Sequence, residues 1–187
     1  MTRPLVLGAV LIGGRSSRFG SDKALAEWNG RTLAAHAAAL VGQFVDEVVL
    51  IGGPSSGSGQ AGSSPDMPRP GLGPLGGIAG ALDHAAGHGF ASVLTIGCDM
   101  PRVPSTLLTA LLRRAPAFCS DAPVLGHWPA ALGAQLMAHV EGEDRSVRGW
   151  ARVIGALPIA SPVPLGNVNT RADLDALAGD EAHQPAL

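Results

Sequence analysis

The sequence predicts a Rossmann-like α/β fold with three layers, α/β/α, around a mostly parallel central sheet. The run Leu5–Ile12 is apolar on both faces, which is typical of a buried parallel strand. Further apolar runs of strand length alternate with segments in which apolar residues recur at helical spacing. A glycine-rich polar segment directly follows the first of these strands, at the place where open α/β sheets bind ligands.

The elements of the N-terminal half, about residues 1–115, follow in order. Predicted strands cover 5–12, 47–51 and 91–96, and predicted helices cover 33–44, 75–86 and 107–112. Residues 53–73 lie between the second strand and the second helix, and six Gly, five Ser and four Pro among these 21 residues fit no periodic element. We expect them to form a mobile loop beside the site.

The C-terminal half, about residues 116–178, carries weaker patterns. They predict a strand at 122–125, helices at 132–140 and 147–154, and a last strand or its exit at 167–169. Thr170 and Asp173 have the spacing of a capping box that opens a final helix. Residues 179–187 form a frayed tail, and the 187 residues together make a single domain.

The composition excludes several classes of function. The net charge of −2 gives no broad basic field, so we expect neither nucleic acid nor a membrane surface as a partner. The longest apolar run is far shorter than the ~20 residues that a membrane-spanning helix needs. Cys98 and Cys119 match no disulfide framework or zinc-ligand spacing, which favours two reduced core thiols in a cytoplasmic protein.

Residues 13–23, GGRSSRFGSDK, have the composition of a phosphate-binding loop. Gly13 and Gly14 let backbone N–H groups approach an anion, and Arg15, Arg18 and Lys23 supply positive charge. The spacing matches neither G-x-x-x-x-G-K-[ST] nor G-x-G-x-x-G, so a P-loop and a dinucleotide fold are disfavoured. Lys23 is the only lysine in a chain with twelve arginines, which indicates a need for a compact ammonium group.

Asp99 follows the third predicted strand within the sequence Gly-Cys-Asp-Met-Pro. A carboxylate at the carboxyl end of a strand, facing a phosphate-binding loop, suits a hard divalent cation that bridges protein and phosphates. The alternative is a carboxylate that caps the following helix.

Four ordered segments resemble the molybdenum cofactor guanylyltransferases (MobA type), a family of nucleotidyltransferases with the fold of the nucleotide-diphospho-sugar transferases. The resemblance runs from residue 5 to about residue 178. The segments that carry it are LIGGRSSRFGSDKAL at 11–25, GPLGGI at 73–78, CDMP at 98–101 and NVNT at 167–170.

The resemblance implies transfer of GMP from GTP to the terminal phosphate of molybdopterin that carries molybdenum, with Mg²⁺ and release of pyrophosphate. Apo-molybdoenzymes or their chaperones are implied as further partners. In this reading Arg15, Arg18, Lys23 and Asp99 are catalytic, Asp99 binds the metal, and Asn167 and Asn169 meet the pterin. The positions implied to contact GTP are Leu11, Ile12, Gly13, Gly14, Lys23, Gly53, Asp66 and Asp99.

Gly53 stands where the family usually has asparagine, a position implied to contact the base or ribose. Three alternatives therefore stay open from the sequence. They are a CTP-dependent molybdopterin cytidylyltransferase, a sugar-phosphate nucleotidyltransferase and a nucleotide-binding paralogue without catalysis. The second glycine of Ile12-Gly13-Gly14 favours guanine, because relatives that use CTP tend to carry Ala-Ala-Gly there.

Overall fold

The computed structural model describes residues 3–12, 23–52 and 62–181, which form nine strands and six α-helices. The strands are β1 (Val6–Leu11), β2 (Glu27–Trp28), β3 (Arg31–Thr32), β4 (Glu47–Ile51), β5 (Gly62–Ser64), β6 (Ser92–Gly97), β7 (Ala117–Cys119), β8 (Gly126–Pro129) and β9 (Leu157–Ile159). The helices are α1 (Leu33–Val41), α2 (Pro74–Gly87), α3 (Ser105–Leu112), α4 (Gly133–Val140), α5 (Val147–Val153) and α6 (Arg171–Glu181). Short 3₁₀ helices cover Lys23–Leu25 and Ala130–Leu132.

Seven strands form the central sheet, in the order β5-β4-β1-β6-β8-β7-β9. The pairs β5–β4, β4–β1, β1–β6 and β7–β9 are parallel, and β8 runs antiparallel to both of its neighbours. Strands β2 and β3 form a separate hairpin. Six strands of the sheet therefore point in one direction, and their carboxyl ends lie at the same end of the sheet. This agrees with the predicted mostly parallel sheet.

Helices cover both faces of the sheet, so the predicted three-layer architecture is confirmed. On one face, apolar residues of α2, α4 and α5 pack against β1, β4 and β6, with Trp128 and Trp150 among the largest buried side chains. On the other face, α1 and α3 pack against alternate residues of the same strands. Strands β1 and β6 are buried on both sides because they lie at the centre of this sandwich.

The structure contains the short strands β2, β3, β7, β8 and β9, which the sequence did not predict, and it differs from the prediction in three further segments. Residues 122–125 are not a strand but a turn between β7 and β8, closed by the Leu125 amide donating to the Ala122 carbonyl. Their burial mimics the pattern of a short buried strand. Residues 167–169 lie outside the sheet, and the Val168 amide donates to the Asp99 carbonyl instead.

The third difference is β5, which lies inside the segment 53–73 where no periodic element was expected. It pairs with β4 at the edge of the sheet through residues Gly62–Ser64. An edge strand needs only backbone hydrogen bonds, so a small polar sequence without apolar alternation forms it. The mobility of this loop and the extent of the single domain stay predictions.

Both cysteines are buried, as expected for core thiols. Within the described ranges, no helix has the length and apolar character needed to cross a membrane.

Candidate active site

The site lies at the carboxyl ends of the neighbouring strands β1 and β6, from which the chain connections run to opposite sides of the sheet. From β1 the chain moves to β4 on one side and later to β6 on the other, which leaves a crevice at the carboxyl ends of β1 and β6. The two ends are in register, since Leu11 pairs with Gly97 and the Cys98 amide donates to the Leu11 carbonyl at 3.1 Å. The segments that follow these two strands therefore meet at one point.

Lys23 brings its ammonium group to this crevice. It begins the 3₁₀ turn 23–25, in which the Ala26 amide donates to the Lys23 carbonyl and Ala24 is buried. The Lys23 Nζ donates to Asp99 Oδ2 at 3.0 Å and to Asn169 Oδ1 at 3.0 Å. Only 13% of the Lys23 side chain is exposed, so the charge is held in a fixed place rather than extended into solvent.

Asp99 lies in the tight turn that follows β6. The Met100 amide donates to the Gly97 carbonyl, and both Met100 and Pro101 are buried. A side chain at Gly97 would overlap Asp99 Oδ1, so glycine at that position leaves room for the carboxylate. The Asp99 side chain is 28% exposed and faces Lys23 through one oxygen.

Asn169 belongs to the segment that leads into α6. Its side-chain oxygen accepts a hydrogen bond from Lys23. The preceding residue, Val168, is buried, and Asn167 before it is exposed to solvent. The structure thus brings Lys23, Asp99 and Asn169 together, and we call these three residues the Lys23 cluster.

Asp66 lies near the start of α2, beside the end of β1. Its Oδ1 lies 3.6 Å from the position that a Cβ at Gly77 would take, and the Leu11 methyl groups lie 3.2 and 3.3 Å from the same position. The missing side chain at Gly77 thus lets the Asp66 carboxylate and Leu11 approach the helix. Burial raises the pKa of the Asp66 carboxyl above its usual range.

Leu11 is the buried last residue of β1, and the partly buried Ile12 follows it, with its amide donating to the Ile51 carbonyl of β4 at 2.8 Å. The remaining predicted positions lie outside the described residues. They are Gly13, Gly14, Arg15, Arg18 and Gly53.

The side chains of the cluster offer few ligands to a divalent cation. Asp99 is its one carboxylate, and the described part of the chain holds no group of three His, Cys, Asp or Glu side chains arranged for a metal ion. Mg²⁺ is usually held by one or two carboxylates together with water and substrate phosphates, rather than by a cage of protein ligands. The single carboxylate of this crevice fits such a cation when the phosphate oxygens of a bound ligand and water supply the other bonds.

Sequence reasoning assigned Asp173 only to a helix cap, yet the carboxylate also holds the backbone of Asn169. Its Oδ2 accepts from the Asn169 amide at 2.7 Å. The capping-box spacing was the one signal in the sequence that pointed to this residue.

A family model, the MobA-like NTP transferase domain, matches residues 8–185. The chain belongs to this family. Among curated proteins, this MobA-like transferase is 33% identical over 189 residues to the molybdenum cofactor guanylyltransferase of Rhodobacter capsulatus, covering 97% of this chain and 98% of that protein. The relationship makes the chain a nucleotidyltransferase.

Solved structures agree on the fold. The molybdopterin-guanine dinucleotide biosynthesis protein A of Archaeoglobus fulgidus superposes with a TM-score of 0.72 at 20% identity, covering 95% of this chain and all of that one. The 2-C-methyl-D-erythritol 4-phosphate cytidylyltransferase of Thermus thermophilus superposes with a TM-score of 0.63 at 16% identity, with 98% and 100% of the chains covered. The MobA-like transferase therefore has the nucleotide-diphospho-sugar transferase fold, as the resemblance predicted.

Proposed function

We propose that this MobA-like transferase moves GMP from GTP to the terminal phosphate of molybdopterin carrying molybdenum, with the Lys23 cluster at its reaction centre. An oxygen of the pterin phosphate bonds to the α-phosphorus of GTP, the bond from that phosphorus to the bridging oxygen of the β-phosphate breaks, and pyrophosphate leaves. The attacking phosphate is already an anion, so the reaction needs no protein nucleophile. The observation that carries the proposal is the convergence of Lys23, Asp99 and Asn169 at the crevice beside the carboxyl ends of β1 and β6.

Lys23 binds the triphosphate in this proposal. Its ammonium lies at the crevice with two acceptors, Asp99 Oδ2 and Asn169 Oδ1, and is largely shielded from solvent. Phosphate oxygens compete for the same three N–H donors, and positive charge held in place stabilises the charge that develops on the leaving pyrophosphate. Arg15 and Arg18, which precede Lys23 in the sequence, add further positive charge in this proposal.

Asp99 binds a divalent cation, which we propose to be Mg²⁺. Bound there together with the nucleotide, such an ion would supply positive charge that offsets the charge of the phosphates. Asp99 contributes one oxygen and orients the triphosphate toward Lys23. Its carboxylate becomes available as the Lys23 ammonium moves to the phosphates.

In this proposal the pocket for the guanine base is lined by Leu11, Ile12 and Gly13. The nucleotide has further contacts with Gly14, Gly53 and Asp66. The half-buried Asp66 carboxylate lies on the α2 side of β1. A carboxylate there accepts from ribose hydroxyls or from N–H groups of the base. Asn167 and Asn169 bind the pterin substrate, and an apo-molybdoenzyme or its chaperone receives the finished cofactor.

Thermal unfolding with Mg²⁺ and saturating GTP, CTP, ATP or dTTP tests nucleotide choice. A nucleotide at a hundredfold excess over its Kd stabilises the fold by about 2.7 kcal/mol. For a chain of this size that corresponds to about 5–11 °C in melting temperature. A shift selective for GTP supports the proposal, a shift selective for CTP contradicts guanylyl transfer, and no shift with any nucleotide contradicts catalysis.

Product analysis with molybdopterin completes the test, because it detects the guanine dinucleotide and pyrophosphate directly. Lys23→Met removes the proposed phosphate ligand and should abolish the GTP-dependent shift. Arg113→Met is the matched control, because Arg113 is an exposed cation at the C-terminal end of α3, away from the crevice. This variant should leave the GTP-dependent shift unchanged.

A further inference from the structure

We infer that Asp173 is a positioning residue of the transferase site, whose carboxylate fixes the backbone of Asn169 so that the Asn169 side chain stays at the Lys23 ammonium. The inference rests on the proposed function, and it concerns a residue outside the Lys23 cluster. It follows from a hydrogen bond that a helix cap alone does not require.

Asp173 and Thr170 form a reciprocal capping box at the start of α6. The Thr170 amide donates to Asp173 Oδ2 at 2.8 Å, and the Asp173 amide donates to Thr170 Oγ1 at 3.2 Å. These two bonds satisfy the first turn of the helix. The same Oδ2 also accepts from the Asn169 amide, at 2.7 Å, one residue beyond the cap.

This extra bond acts on the residue that contacts Lys23. The Asn169 side chain is exposed, so packing does not set its direction, whereas the residue before it is anchored. Val168 is 1% exposed, packs against Trp28 and Leu33, and donates its amide to the Asp99 carbonyl at 2.9 Å. Asn169 is thus held by the Asp99 turn on one side and by Asp173 on the other.

The Asp173 carboxylate is suited to this task at neutral pH. The amides of Asn169 and Thr170, in that order, lower the pKa of Asp173 below its usual range. The group is therefore ionised, and both backbone bonds are charge-assisted, which makes them stronger than bonds to a neutral acceptor.

Asp173→Ala and Thr170→Ala form a matched pair of variants. Each removes one half of the capping box, so we expect both to lower the melting temperature by similar amounts. Only Asp173→Ala frees the Asn169 amide. We therefore expect kcat/KM for guanylyl transfer to fall about tenfold in Asp173→Ala and to stay within about twofold of wild type in Thr170→Ala. If the alanine variant does not fold, Asp173→Asn serves in its place, with a smaller expected loss, because its amide oxygen still accepts from the Asn169 amide but the bond is no longer charge-assisted.

A double-mutant cycle with Asn169→Ala tests the route of the effect. If Asp173 acts through Asn169, Asp173→Ala causes no further loss of kcat/KM in the Asn169→Ala background. Equal kcat/KM in Asp173→Ala and Thr170→Ala would overturn the inference. An undiminished loss in the Asn169→Ala background would overturn it as well, because Asp173 would then act elsewhere.

Backbone hydrogen exchange on the ligand-free protein separates this inference from the proposed function. We expect the Asn169 amide to exchange at least about tenfold faster in Asp173→Ala and at the wild-type rate in Thr170→Ala. Unchanged exchange at Asn169 contradicts the positioning role, whatever the activity. Absence of guanylyl transfer by the wild-type protein contradicts the proposed function instead.

Discussion

Replacing Asp99 by asparagine should weaken the ligand-free fold as well as remove activity. The Lys23 ammonium lies 3.0 Å from Asp99 Oδ2, and the two side chains are 13% and 28% exposed. Fully exposed ion pairs contribute about 0.5 kcal/mol, whereas removing one partner of a buried pair costs about 3–5 kcal/mol. Because Lys23 keeps its bond to Asn169 Oδ1, we expect an intermediate loss of about 1.5 kcal/mol in the free energy of unfolding.

Thermal unfolding without ligand measures this loss, which corresponds to a fall of about 3–6 °C in melting temperature. Guanylyl transfer should fall at least about 100-fold, since the proposed metal ligand is gone. The variant Lys23→Met/Asp99→Asn should melt closer to wild type than Asp99→Asn alone, because it leaves no unpaired ammonium. A single Asp99→Asn variant that melts at the wild-type temperature would refute the reasoning that Asp99 holds the ammonium in the free protein.

Three further changes have definite expected outcomes. Lys23→Arg should lower kcat/KM at least about tenfold, because two acceptors converge on one nitrogen and a planar guanidinium does not reproduce that geometry; near-normal kinetics would show that charge alone suffices. Asp66→Asn should raise the melting temperature of the ligand-free protein slightly at neutral pH while weakening GTP binding about tenfold. Burial raises the pKa of the Asp66 carboxyl, so ionising this group in the folded protein costs stability, and the cost develops as the pH rises from the usual pKa through the raised one. Equal melting temperatures of the wild type and Asp66→Asn at every pH from 4 to 7 would contradict this sign. Thr95→Val should lower the free energy of unfolding, measured with denaturant, by about 2 kcal/mol. The buried hydroxyl that it removes donates to the Val124 carbonyl at 2.7 Å and accepts from Trp128 Nε1 at 2.9 Å. An unchanged unfolding midpoint would show that these groups find other partners.

The sequence predicted the parts of the site that follow directly from strands. Asp99 was identified because it comes directly after a buried apolar run, and Lys23 because it ends the glycine-rich segment that follows another such run and is the only lysine of the chain. Their mutual contact was not predicted, since they are 76 residues apart and meet only because β1 and β6 are neighbours in the sheet. The contact between Lys23 and Asn169 spans 146 residues and depends on a segment that pairs with no strand.

The elements that escaped prediction lack a side-chain period. Strand β5 pairs with β4 through a small, polar Gly-Ser-Ser sequence, and the turn at 122–125 is an apolar segment between two strands. The second role of Asp173 was hidden for a different reason. A capping box is visible in the sequence, but whether its carboxylate also reaches the preceding amide depends on how residues 167–169 approach the helix.

The pairing of Lys23 with Asp99 has a consequence for the order in which ligands bind. In the ligand-free site each charge is already neutralised by the other, so a divalent cation arriving alone meets a carboxylate that has a partner at 3.0 Å. A triphosphate draws the ammonium away and supplies additional oxygen ligands, and both changes favour the cation at Asp99. We therefore expect Mg²⁺ alone at millimolar concentration to leave the melting temperature unchanged, GTP alone to raise it, and the two together to raise it by more than the sum of their separate effects. A clear shift with Mg²⁺ alone would contradict this exchange of partners, and Asp99→Asn should keep the shift with GTP while losing the additional shift with the metal.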